Sequence, residues 1–146
     1  MQRKRRTTIL VKSGKQLAKL FAGEIIQNYP VVTVQEPQNG LIMIKMRESA
    51  QNKLFYLGEV FVTECKVQVG NVLGVGIIQD DQPEMAYYLA LIDAAYNADL
   101  AETKRWEAML TEEENRIMAR EAQERFTLLK TTVNFETMDV LGGATN

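Results

Sequence analysis

The stretch from Gly58 to Tyr96, GEVFVTECKVQVGNVLGVGIIQDDQPEMAYYLALIDAAY, constrains the fold more tightly than any other part of the chain. Val69 and Val72 bracket Gly70-Asn71, and a glycine-first two-residue connection between apolar runs is what a tight primed hairpin turn requires. The turn sets a register in which Val67 faces Gly74 and Cys65 faces Gly76. One surface of the hairpin (Cys65, Val67, Val69, Val72, Ile78) is then smooth with two glycine notches, and glycine inside a strand marks close approach by another backbone. That face must be covered. The helix expected from Pro83 is the natural lid, because a short connection brings it straight back.

The rest of the chain is arranged around this unit. Ile9, Leu10, Leu17, Leu20, Phe21, Ile25 and Ile26 recur at helical spacing between Thr7 and Gln27, with Ser13-Gly14 as a weak point that splits the helix or marks its start. Asn28-Tyr29-Pro30 ends it. Val31 to Gln35 and Leu41 to Arg47 read as strands around a bulged or longer loop at Pro37-Gln38-Asn39-Gly40. A polar Glu48–Lys53 connection precedes a strand that starts at Leu54 or Phe55, kinks at Gly58 and runs into the hairpin. Asp80-Asp81-Gln82-Pro83 has the form of a helix start with a capping acid. Met85, Leu89, Ile92 and Tyr96 form the stripe of that helix. After a break at Asn97–Thr103 comes a helix carrying Trp106, and Thr111-Glu112-Glu113-Glu114 reads as the capping box of another. Thr131 to Val140 is strand-like in composition. The expected fold is therefore α+β: an antiparallel sheet of about four strands packed with helices, an N-terminal helix, two C-terminal helices and a terminal strand-like tail. One domain spans residues 1–141, with a basic arm at 1–6, a strand at 131–140 and a flexible tail at 142–146.

Composition narrows the chemistry. The 146 residues contain no histidine, which removes the Ser-His-Asp and Cys-His constellations, the common zinc sets and the usual neutral-pH proton shuttle. A single Cys65 permits no internal disulfide and fits a reducing cytoplasm. Without a histidine to activate it, the thiol reads as a small buried hydrophobe. Arg3, Lys4, Arg5 and Arg6 resemble the start of a secretion signal, but Lys12, Lys15 and Lys19 interrupt the apolar run that should follow, so secretion is rejected. Of seventeen basic residues seven precede the first acid, Glu24, leaving ten against nineteen acidic ones. A basic arm on an acidic body points to an acidic partner.

Three constellations carry possible chemistry. The basic arm could grip nucleic-acid phosphates, but no aromatic platform accompanies it, and solvating a helix or docking on an acidic subunit accounts for it better. Asp93 stands among apolar neighbours, where an unpaired carboxylate would cost several kcal/mol. It therefore needs a backbone amide or a basic group from elsewhere, a structural role favoured over that of a catalytic base acting with Glu59 or Asp81. Asp80, Asp81 and Glu84 fit helix capping better than a divalent-cation site. Gly74-Val75-Gly76 is no dinucleotide fingerprint, since Gln79 occupies the place of the third glycine.

Several strings occur in a telling order: Gly40-LIMIKMR, Leu57-Gly58-Glu59-Val60, Thr63-Glu64-Cys65-Lys66-Val67, Ala90-Leu91-Ile92-Asp93-Ala94 and Val133-Asn134-Phe135-Glu136-Thr137-Met138. Together they resemble the PhnG family of the bacterial carbon-phosphorus lyase system, which degrades phosphonates. Positions matching the family pattern are Gly58, Glu59, Cys65, Val67, Asp93, Ala94, Thr137 and Met138. The family's arginine before the cysteine is replaced by Glu64, and its Gly-Arg-Asp stretch and histidine by Gln79-Asp80-Asp81.

The resemblance implies a subunit of a cytoplasmic core complex with two copies each of this chain and of the H, I and J subunits. With H, I and the L protein, the family takes part in displacing adenine from ATP by an alkylphosphonate. ATP is a co-substrate of the complex, and no cofactor or metal is expected on this chain alone. The resemblance carries over no catalytic residue. Gly58, Glu59, Cys65, Gly74, Gly76, Asp93, Phe135, Thr137 and Met138 are the candidate interface or structural positions, with the I subunit as chief partner.

Overall fold

A computed structural model describes the backbone of residues 1–143 and the side chains of residues 1–132. It is α+β: α1 (Arg3–Ser13), α2 (Lys15–Asn28), β1 (Val31–Arg47), β2 (Leu54–Val69), β3 (Val72–Gln79), α3 (Pro83–Asn97) and α4 (Glu102–Gly143). The strands form one antiparallel sheet in the order β1-β2-β3.

The β2–β3 hairpin follows the expected register, with Val69 opposite Val72, Val67 opposite Gly74 and Cys65 opposite Gly76. Gly70 supplies the positive φ of 60° that the turn needs, and its amide donates to the Pro30 carbonyl at 3.1 Å. α3 seals the notched face. A Cβ on Gly74 would run into Ala90 O and Ala94 N, and one on Gly76 into Ala86 O and Ala90 N. The two glycines thus let a helix backbone lie directly on the sheet. Cys65, Val67, Ile78, Ala86, Leu89, Ala90 and Ala94 pack in this seam as part of one buried cluster.

α1 and α2 are separate helices, divided at Gly14 with φ 89°. The residues expected to form a free basic arm are helical from Arg3 onward. α2 ends where Tyr29 turns extended ahead of Pro30, and the tyrosine hydroxyl donates to Glu102 Oε2 at 2.9 Å. Phe21 of α2 stacks on Trp106 of α4 with centroids 4.6 Å apart, and the indole donates to Glu24 at 3.0 Å.

Four expectations require correction. The two strands foreseen on either side of Pro37–Gly40 are one strand, β1, so the sheet has three strands. The register slips beside Val34 and between Gln35 and Gln38, which absorbs the proline as bulges. Proline is tolerated there because β1 is an edge strand. The capping acid ahead of α3 is absent, since the cap residue is Gln82 and makes no side-chain cap bond. Thr63 organises the turn instead: its hydroxyl donates to Asp80 O at 2.6 Å and accepts from Gln82 N at 3.0 Å. The capping box at Thr111 lies inside a helix that began at Glu102, where the threonine hydroxyl bonds back to Glu107 O. Finally, the terminal strand at 131–140 is the continuation of α4, whose 42 residues extend about 63 Å at 1.5 Å per residue. Residues 144–146 of the expected tail lie outside the described residues.

Candidate interaction surface

Asp93 sits in the middle of α3 with both oxygens occupied. Oδ1 receives Arg6 Nη2 at 2.8 Å and lies 3.2 Å from Arg3 Nε. Oδ2 accepts from the Val75 amide at 3.0 Å and from Asn97 Nδ2 at 3.4 Å. Asp93 and Arg6 are both buried, and the Arg6 guanidinium lies 4.2 Å over the Tyr96 ring. The backbone amide and the distant basic group required by the sequence are therefore both present. Saturated in this way, the carboxylate has no free lone pair directed at a substrate. Glu59 stands far along β2 opposite Met43, and Asp81 precedes α3, so the structure assembles no carboxylate pair around Asp93.

Side chains from α1 and α3 also trim the outer edge of β3. Asn97 donates to Leu73 O at 3.0 Å and Arg3 to Val75 O at 2.9 Å, while Asp93 accepts from Val75 N. Between Arg3, Lys4, Thr7, Thr8, Val75 and Asp93 lies a shallow open cleft.

The basic N-terminal segment is largely engaged within the chain. Met1 N pairs with Glu107, Arg5 with Glu114 at 2.5 Å and Lys12 with Glu121 at 2.6 Å, a ladder whose acids stand at heptad spacing on α4, which runs parallel to α1. Lys15 pairs with Glu84. Arg5 and Lys12 hold the Glu114 and Glu121 carboxyls below their ordinary range through these hydrogen bonds. The acidic partners of the basic segment thus lie on α3 and α4 of the same molecule.

Cys65 is fully buried, and burial pushes its thiol up to about 11, with Glu36 adding to the shift. It is a core residue, as its isolation in the sequence indicated. Burial likewise raises the Tyr96 hydroxyl to about 12, reinforced by Glu107 and opposed by Arg6. Among the described residues no group of three His, Cys, Asp or Glu could hold a metal ion. No helix among them is long and apolar enough to cross a membrane.

The most unusual surface is the outer half of the sheet. β3 stops at Gln79 opposite Val62, so β1 and β2 continue from Gly40 and Phe61 to the Glu48–Lys53 connection as a two-stranded ribbon. A ribbon of this kind is marginally stable alone in water. Its Leu41, Ile42, Met43, Ile44, Met46, Leu54, Phe55, Tyr56, Leu57 and Phe61 are each 39–63% exposed. Gly58 lies at the register slip that leaves Leu57 without a partner in β1, the site of the expected kink. Phe126, Leu128 and Leu129 on α4 are also exposed. Phe135, Thr137 and Met138 belong to the helical backbone of α4, and their side chains lie outside the described residues.

Of the sequence-derived positions, the structure gathers Cys65, Gly74, Gly76 and Asp93 into the sheet–α3 seam and sends Gly58 and Glu59 to the ribbon. Sequence reasoning missed Arg6 and Thr63 as organising residues. It also missed the bare ribbon, whose signal was the density of apolar residues at both odd and even positions of LIMIKM and LFYL.

A search among curated proteins finds no match. The family of phosphonate metabolism protein PhnG, by contrast, matches residues 1–140, and the chain accordingly belongs to that family.

Proposed function

We propose that this phosphonate metabolism protein acts as a non-catalytic subunit of the carbon-phosphorus lyase core complex in the cytoplasm, assembled with the H, I and J subunits in two copies each. With H, I and the L protein it takes part in forming ribose 1-alkylphosphonate 5-triphosphate from ATP and an alkylphosphonate, with release of adenine. ATP is the co-substrate of the assembly, and this chain holds no cofactor of its own. The observation that carries the reading is the bare ribbon beyond Gln79, apolar surface of a kind that marks a site of protein association. The I subunit is the chief partner, meeting the mixed-charge face of the ribbon, where Leu41, Met43, Tyr56 and Phe61 stand beside Lys45 and Glu59.

Co-expression with the I subunit tests the reading: the two chains should co-purify, and adenine release by the assembled complex should fall to background without this chain. Failure to co-purify, or full adenine release in its absence, would overturn it.

A further inference from the structure

The ribbon has two different faces. Pairing places Leu41 opposite Phe61, Met43 opposite Glu59, Lys45 opposite Tyr56 and Arg47 opposite Leu54, all on the side that α3 covers nearer the body. The reverse face carries Ile42 opposite Val60, Ile44 opposite Gly58 and Met46 opposite Phe55, with no ionisable group. It continues onto the body as Leu73, Ile77 and Val32, which are exposed, whereas Val62 on the same side is buried. Glu64 and Lys66 also lie on this reverse face, 3.5 Å apart and of opposite sign.

We propose that the reverse face of the sheet packs against the same face of a second copy of this chain, forming a two-fold sheet-on-sheet dimer. Three observations favour a second copy. Apposing two uncharged ribbon faces buries no ion, so the surface is chemically complementary to itself. At the base, Glu64 and Lys66 lie 3.5 Å apart within each copy, so the face carries no net charge there that a second copy would have to meet. The area is also adequate. Seven half-exposed side chains at about 180 Å² each when free give on the order of 600 Å² of apolar surface, the upper end of what a monomer exposes and near the ~800 Å² each partner contributes to a stable interface. A domain is ordinarily completed by layers on both sides of an apolar sheet, and the second copy supplies the missing one.

Sedimentation velocity of the full chain alone, over a concentration series, tests the inference. The wild-type chain should be dimeric at micromolar concentration. Ile44→Glu and Phe55→Glu, at exposed positions that leave the circular dichroism spectrum unchanged, should raise the dimer Kd by roughly tenfold or more through burial of an unpaired carboxylate. Met43→Glu, one residue away on the opposite face, should leave the dimer intact. A wild-type chain that stays monomeric, a dimer indifferent to both reverse-face variants, or equal disruption by Met43→Glu would each overturn the proposal. Because the dimer is measured without other subunits, loss of I-subunit binding leaves it standing, and a monomeric chain that still captures the I subunit overturns only the dimer.

Discussion

Arg6 in the first turns of α1 and Asp93 in the middle of α3, separated by 87 residues, form a 2.8 Å ion pair in which each side chain is 7% exposed. Removing one partner of a buried pair strands the other. Arg6→Met should therefore destabilise the chain by about 3–5 kcal/mol in denaturant unfolding, whereas Arg6→Met with Asp93→Leu should recover a large part of the loss. A double variant no better than the single one would mean that the Val75 and Asn97 bonds to Asp93, rather than the pair, hold the site.

The glycine seam yields a sharper contrast. Gly74→Ala and Gly76→Ala force a methyl into the α3 backbone and should each cost about 1–3 kcal/mol or more, seen as a lower melting temperature. Gly40→Ala meets nothing within 4 Å and should be close to neutral.

Tyr96 has a buried hydroxyl without a hydrogen-bond partner among the described residues, while its ring carries the Arg6 cation. Tyr96→Phe keeps the ring and removes the unsatisfied group. Stability should stay level or rise by up to about 1 kcal/mol.

Cys65, fully buried and with its thiol raised to about 11, should resist alkylation at neutral pH until the chain unfolds. Labelling kinetics in a denaturant series would then report global opening. Rapid modification under native conditions would show that the α3 seam opens locally.

The Glu114 and Glu121 carboxyls lie below their ordinary value of 4.5 in the folded chain. A carboxyl depressed by folding adds stability that is fully present above its unfolded pKa and disappears as pH falls through the folded one. Acidification below about 4.5 should thus weaken the α1–α4 ladder, and Glu114→Gln with Glu121→Gln should flatten that part of the pH profile. Both groups are partly open to solvent, so the change should be small and should shrink further in high salt.

The parts of the fold governed by local chemistry were legible. Gly70-Asn71 and the two notch glycines determined a hairpin register and its helical cover, and the apolar setting of Asp93 demanded partners of the kind found. The identity of Arg6 was not legible, because that contact spans most of the chain. Pro37-Gln38-Asn39-Gly40 misled because it carries turn residues, yet at the sheet edge proline needs no donor and the Asn39 side chain reaches across to within 3.1 Å of the Thr63 hydroxyl on β2. Thr131 to Val140 misled through its strand-like composition. Thr127, Thr131 and Thr132 return their hydroxyls to carbonyls four residues back, which accommodates threonine in a helix.

The side chains that trim β3 have a consequence for association. A sheet open along both rims can add strands without limit and grow into a fibre. Here Asn97, Asp93 and Arg3 occupy Leu73 O and both polar groups of Val75, closing one rim, while β1 leaves the other free. Each molecule then has a single flank from which a strand can be extended, and assembly by that route ends after one step.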